Sequence, residues 1–236
     1  MKNLYKAALL AALGLATVTA AQAGTYNSGD LLVGFTTASG NDLIVDIGQE
    51  SALFSGESFS GVAALLTSTY GANLDGVSWG VIGNGPNSGT VRTAWTTTSP
   101  GSVPATITGN AAFGKLNTAA NALASDFSTS GAIASGQSAT PAATLANSWN
   151  TETLNGTLTT DYVNAYENPN VLGAGQADFS SVLNNASAPT LLGDFTLGAD
   201  DSFTFSAVPE PTSYGMLAGA GLLVVSLRNR FVSKKA

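Results

Sequence analysis

Asp30-Leu31-Leu32-Val33-Gly34-Phe35-Thr36 is followed by Ala38-Ser39-Gly40-Asn41 and then by Asp42-Leu43-Ile44-Val45-Asp46-Ile47. Two short apolar runs rich in branched residues, split by a cluster of turn formers, read as two strands of an antiparallel hairpin. Further strands are predicted over 77–82, 90–98, 151–159 around a turn at Asn155-Gly156, 191–197 and 202–208. The last two form a terminal hairpin: Leu191-Leu192-Gly193-Asp194-Phe195-Thr196-Leu197 reaches the turn Gly198-Ala199-Asp200-Asp201, after which Phe203 and Phe205 alternate with polar residues. The many Thr and Ser residues suit exposed sheet faces.

Two segments have helical spacing instead. Residues 60–70 place Val62, Leu65, Leu66 and Thr69 on one side, and residues 112–127 place Phe113, Leu116, Ala120, Leu123 and Phe127 along one stripe. Such stripes are more often core than partner-binding face, so each helix is expected to lie on a sheet. The Gly/Ser/Ala/Pro-rich stretches 83–89 and 128–143 are expected to be loops, and no internal repeat is present. The fold class that follows is mainly β: an antiparallel β-sandwich-like domain with two short helical insertions, flanked by an N-terminal signal helix and a C-terminal membrane helix.

The flanks are distinct in composition. Lys2 and Lys6 precede an apolar segment, 7–16, too short to span a bilayer stably, and Ala21-Gln22-Ala23 is the small-x-small pattern a signal peptidase accepts, with Ala21 and Ala23 at the small positions. Residues 1–23 therefore read as a signal peptide and 24–207 as the exported domain. The remaining 208–236 form a tail: Val208-Pro209-Glu210-Pro211, an apolar run from Tyr214 to Leu227, and a basic end of Arg228, Arg230, Lys234 and Lys235. The 14 residues of the run rise only about 21 Å as a helix, against a hydrocarbon core about 30 Å thick. Tyr214, Leu217, Leu222, Leu223, Val224, Val225 and Leu227 supply its apolar bulk. The basic end holds the C-terminus on the cytoplasmic side, which leaves Pro209-Glu210-Pro211 facing the export side. A short, temporary membrane anchor has this form.

These tail residues resemble the PEP-CTERM sorting signal of Gram-negative bacteria, with Pro209, Glu210 and Pro211 as the recognition triplet. The basic end departs from the usual pattern in being Arg228-Asn229-Arg230 instead of an unbroken Arg run. The resemblance implies processing by an exosortase-like membrane-embedded enzyme, export through the inner membrane, transient anchoring, and delivery to the cell surface or extracellular matrix of a biofilm alongside exopolysaccharide. It covers the tail and implies no catalytic activity for the domain. Softer likenesses to that group lie in Ser202-Phe203-Thr204-Phe205-Ser206 and in Gly29-Asp30-Leu31-Leu32-Val33-Gly34-Phe35.

Charge and composition bound what the domain does. All of the 15 acidic residues except Glu210 lie in 24–207, where the only cations are Arg92 and Lys115, so the whole-chain charge of −7 understates how negative the domain is. Such a surface repels nucleic acid phosphates and anionic lipids. The sequence has no Cys and no His. Disulfide staples are excluded, as are Ser-His-Asp and Cys-His nucleophilic sites, His-ligated zinc or iron, and haem held through His. Chemistry by carboxylates alone, or calcium held by oxygen, stays open.

The candidates within the domain each have a bland counterpart. Asp194, Asp200 and Asp201 flank a turn but lack the spacing of a calcium loop, and turn carboxylates are the better reading. Asp42/Asp46 and Glu50/Glu57 are carboxylate pairs whose separation decides whether they act as acid and base. Trp79, Trp95 and Trp149 are candidate sugar-stacking platforms, with buried anchors the better reading. The two sequons at Asn155 and Asn185 carry little meaning in a bacterium. The sequence thus assigns no catalytic residue, metal or cofactor. The preferred reading is a non-enzymatic surface or matrix protein; a carbohydrate-binding module and a carboxylate-only glycoside hydrolase or lyase are the alternatives.

Overall fold

The computed structural model describes residues 26–71, 74–85, 91–107, 109–125, 127, 138–154 and 169–208. The signal segment, the turn at Asn155-Gly156 and the tail beyond Val208 lie outside the described residues. In chain order the elements are β1 (Asp30–Thr36), β2 (Leu43–Gln49), a 3-10 turn (Glu50–Ala52), β3 (Glu57–Ser58), α1 (Ser60–Tyr70), β4 (Ser78–Asn84), β5 (Thr93–Thr98), α2 (Ala111–Ala124), β6 (Ser138–Ala139), α3 (Trp149–Thr153), β7 (Val171–Leu172), β8 (Gly175–Leu183), β9 (Thr190–Leu197) and β10 (Phe203–Ala207).

The chain is mainly β, and every strand pairing is antiparallel. The strands join in one sheet of order β3-β10-β9-β8-β5-β4-β1-β2-β6, with β7 added to β4. The opening hairpin forms as the sequence predicts, with Val33 opposite Val45 and Gly34 opposite Ile44. At its turn Ala38 takes a φ of 62° and its N–H donates to Thr36 Oγ1 at 3.0 Å.

The sheet curls until its two halves face each other, which gives the sandwich-like interior. Phe203 of β10 lies 5.9 Å from Phe35 of β1 and 5.3 Å from Trp79 of β4, ring centre to ring centre, although β9, β8 and β5 separate β10 from β4 within the sheet. Leu31, Val33, Val45 and Val81 from one half and Phe179, Phe195 and Phe205 from the other fill the inner cluster. Helix α1, with Val62 and Leu66 buried, packs against both β2 and β10 and so spans the gap between the two edges. Thr67 Oγ1 donates to Asp201 Oδ2 at 2.7 Å and Tyr70 OH donates to the Phe35 carbonyl at 2.7 Å, tying the helix to each side.

The outer face is covered on one half only. Helix α2 presents Phe113, Leu116, Ala120 and Leu123 to Leu32, Ile44, Ile82, Ala94 and Val182, and Phe127 joins them as the stripe predicts. Strand β1 is therefore buried at every position, whereas β8, β9 and β10 alternate. Covered strands read as continuous apolar runs and one-sided strands as alternation, because the side-chain period is two.

Three sequence expectations give way. The strand predicted over 151–159 is replaced, where described, by α3: Ser148 Oγ caps it by accepting from Thr151 N–H at 3.1 Å, and Asp42 Oδ2 accepts from Asn150 N–H at 2.6 Å. These two acceptors satisfy first-turn donors and outweigh the β preference of Thr. Strand β8 arises where no strand was expected, since its small Ala177 and its Ser residues make the apolar alternation weak. Inside the expected 128–143 loop, β6 adds two residues to the edge of β2.

Candidate functional site

Strand β10 carries the chain to the tail. Its Phe203 and Phe205 are buried, and its ladder to β9 runs from Phe203–Leu197 to Ala207–Gly193. Val208 N–H adds one more bond, to the Leu192 carbonyl at 3.0 Å. Pro209, the next residue in the sequence, has no N–H to donate. On the other side, β3 and its approach cover β10: Gly56 N–H donates to the Phe205 carbonyl at 2.9 Å and Ala207 N–H to Ser55 Oγ at 3.2 Å. The four-residue Val208-Pro209-Glu210-Pro211 stretch thus starts on a residue held by the sheet.

Val208 is 41 % exposed, Phe54 62 % and Leu191 46 %. Phe54 precedes the Ser55 that bonds Ala207, and Leu191 precedes the Leu192 that bonds Val208. Beside them the loop 101–103 folds over β8 and β9 and borders an open pocket of about 140 Å³ lined by Ser102, Val103, Asp178, Ser180, Pro189 and Leu191.

Asp178 of β8 and Asp194 of β9 stand directly opposite each other in the ladder. Asp178 Oδ2 accepts from Gly101 N–H at 2.8 Å. Desolvation pushes the Asp194 carboxyl up, Gln176 pulls it down, and the facing Asp178 adds to the rise. The sequence reading missed this pair because it missed β8; a strand there would have put both carboxylates on one face.

The carboxylates singled out in the sequence are not assembled into a site. Asp42 and Asp46 share the outer face of the opening hairpin, but four residues of extended chain separate them by roughly 13 Å. Both are buried. Burial pushes the Asp42 carboxyl up against the pull of hydrogen bonds from Asn150, Thr36 and Ser148. It pushes Asp46 up to about 6, opposed by the Gly48 N–H that Asp46 Oδ1 accepts at 2.8 Å and reinforced by the charge of Asp30. Asp30 in turn accepts from Asn27 N–H at 2.9 Å and from the Gln49 amide, and burial under this cluster drives the Tyr26 phenol upward. Glu50 lies in the 3-10 turn and Glu57 in β3.

The calcium candidates are likewise dispersed. Asp200 is exposed and bonded to Ser202, Asp201 is buried against α1, and Asp194 sits opposite Ser206 near the far end of the hairpin. Among the described residues no group of three or more potential metal-binding side chains occurs. The tryptophans are anchors and not platforms: all three are buried, with Trp79 Nε1 donating to the Gly173 carbonyl at 2.8 Å and Trp149 Nε1 to Asn170 Oδ1 at 2.7 Å. This is the buried-anchor reading that the sequence favours over the sugar-stacking alternative.

Comparison with protein families gives one match: the PEP-CTERM protein-sorting motif, at residues 207–230. The chain carries that motif where the sequence resemblance places it, beginning on the last residue of β10. No curated protein and no solved structure matches the chain. The motif implies secretion and transient membrane anchoring through the tail. Among the described residues no helix is long and apolar enough to cross a membrane.

Proposed function

We propose that this protein is a non-enzymatic component of the cell surface or extracellular matrix. It is exported across the inner membrane, held briefly by its tail, processed by an exosortase-like enzyme at Pro209-Glu210-Pro211, and delivered into association with exopolysaccharide. The observation that carries the reading is the sorting motif at 207–230 joined without a linker to a folded, acidic β-domain.

Several features of the domain support a role without catalysis. Asp42 and Asp46 are buried and farther apart than the roughly 5–10 Å that glycoside hydrolysis uses. Asp178 is engaged by the Gly101 N–H, from which it accepts at 2.8 Å, and Asp194 interacts with Gln176. The buried tryptophans take from the carbohydrate-binding alternative the platform it relied on.

The test is to map the C-terminal peptide of the exported protein in a host with an exosortase and in the same host without it. Loss of 216–236 only where the enzyme is present is the expected result. A tail retained in the mature surface form would replace the processing scheme with a permanent anchor.

A further inference from the structure

The strand register places both ends of the described domain on one side. Moving across the sheet from Val208, which bonds Leu192, the neighbouring rows reach Ser180, Thr96, Ile82 and Leu32, and the next rows outward end at Asp30 and Asn84. Tyr26 is fastened there, its hydroxyl donating to the Asp30 carbonyl at 3.1 Å. The 3-10 turn that leads to Phe54 is there too, since Glu50 N–H donates to the Gly29 carbonyl at 2.9 Å. The first and last described residues, Tyr26 and Val208, therefore leave the sheet at the same end.

Among the described residues, four of the seven exposed large apolar side chains lie at this end, and a fifth, Val103, lines the pocket beside Leu191. Phe54, Leu191 and Val208 surround the exit, and Val91, 44 % exposed, lies just before Thr93, which pairs with Leu183 at the same end. Arg92, one of the domain's two cations, is between them in the chain. Two such side chains lie at the other end: Leu172 pairs with Ser78, itself opposite Thr36, and Leu145 is bonded to Ala142, which bridges Asn41 beside the turn of the opening hairpin.

Chain length limits where this end can be. From Val208 to Tyr214 are six residue steps, which cover at most about 21 Å fully extended. The headgroup layer outside the hydrocarbon takes up roughly 5–8 Å of that. A domain tethered so closely at one end cannot swing clear of the bilayer.

We infer that, while the tail is attached, the exit end docks on the export-side membrane surface, with Phe54, Val91, Leu191 and Val208 entering the headgroup layer and Arg92 near lipid phosphate. The inference rests on the anchoring role of the tail in the proposed function and deepens it by naming the surface that meets lipid. Side chains of this kind partition into the interface, and tethering removes most of the entropy cost that would make four of them too few on a free protein. Tail removal then releases an acidic domain with no independent hold on the membrane.

The absence of native Cys makes a clean test possible. Full-length chains carrying single substitutions F54C, L191C or L172C, each at an exposed position, are labelled with an environment-sensitive fluorophore and incorporated into phosphatidylcholine/phosphatidylethanolamine liposomes free of any other protein. Flotation scores anchoring, and quenching by aqueous iodide scores docking. Quenching severalfold weaker at 54 and 191 than at 172, with the difference abolished by proteolytic removal of the tail, is the expected result. Chains that float but quench equally at all three positions would overturn the docking alone. Chains that fail to float would overturn the anchoring reading and this inference with it.

Discussion

Gly34 of β1 and Gly80 of β4 face each other across the ladder, and the indole of Trp149 occupies the space a side chain on Gly34 would need. The Pro169 carbonyl does the same over Gly80. Two paired glycines thus make a flat trough in the outer face, and α3 and the start of the 169–172 segment are seated in it. Gly34→Ala is expected to destabilise the domain by about 1–3 kcal/mol through overpacking. Trp149→Ala alone costs about 3–5 kcal/mol. In urea unfolding the double substitution should cost less than the sum, because removal of the indole vacates the space the new methyl needs.

Asp46 makes stability depend on pH with a definite sign. Its carboxyl is raised from 3.8 to about 6 in the folded chain. The folded state therefore holds the proton more tightly than the unfolded state, so this contribution is complete below about pH 4 and is lost as pH rises through about 6. Asp42, also raised, acts in the same direction. Thermal unfolding should shift upward by on the order of 5 °C between pH 7 and pH 5. Asp46→Asn, which keeps the acceptor for Gly48 N–H, should raise the melting temperature at pH 7 and flatten the profile. An unchanged profile would remove Asp46 as its source.

Asp178 and Asp194 are like charges directly opposed, and both are partly open to solvent. Asp194→Asn is expected to stabilise the domain by about 0.5 kcal/mol at pH 8, a small effect because solvent screens the pair. The gain should shrink in 1 M salt, where the screening length falls to about 3 Å. Denaturant midpoints at the two salt concentrations check this.

Phe203 touches Phe35, Phe59, Trp79 and Phe195, drawing both halves of the curl together. Phe203→Ala should cost about 3–5 kcal/mol, compared with about 1 kcal/mol or less for exposed Phe54→Ala. Paired urea titrations of the two variants make the comparison.

Glu210→Gln keeps the size of the side chain and removes its charge. Full-length protein should accumulate in a host with the processing enzyme, as immunoblotting against a C-terminal epitope would read. Processing at the normal rate would mean that the tail is handled by hydrophobic length and not by the triplet.

The antiparallel β class, the opening and closing hairpins, both long helices and the sorting tail were all legible, since each depends on local period and local turn chemistry. The apolar run 30–35 belongs to a strand covered on both faces, and the alternation around Phe203 and Phe205 to one covered on a single face. Strand β8 was not legible, for Ala177 and Ser180 owe their burial to neighbours far away in the chain. Helix α3 escaped because its acceptors include Asp42, more than a hundred residues earlier. The Asp178–Asp194 pair escaped for the same reason, being a product of register.

Sequence alone determined the chemistry that is closed to this chain: with no Cys and no His, whole classes of site cannot be built, whatever the fold. It also determined that position 209 supplies no backbone donor, because a proline there has no N–H. Only the tertiary structure decided which of the polar and aromatic candidates stay accessible. Burial and separation depend on how the sheet curls, and the curl is set by contacts such as Phe35–Phe203 between residues that no local pattern links. The same curl and register gather Tyr26, Phe54, Leu191 and Val208 at one end of the strands, a placement that follows from pairing across the whole sheet and has no signature in any single segment.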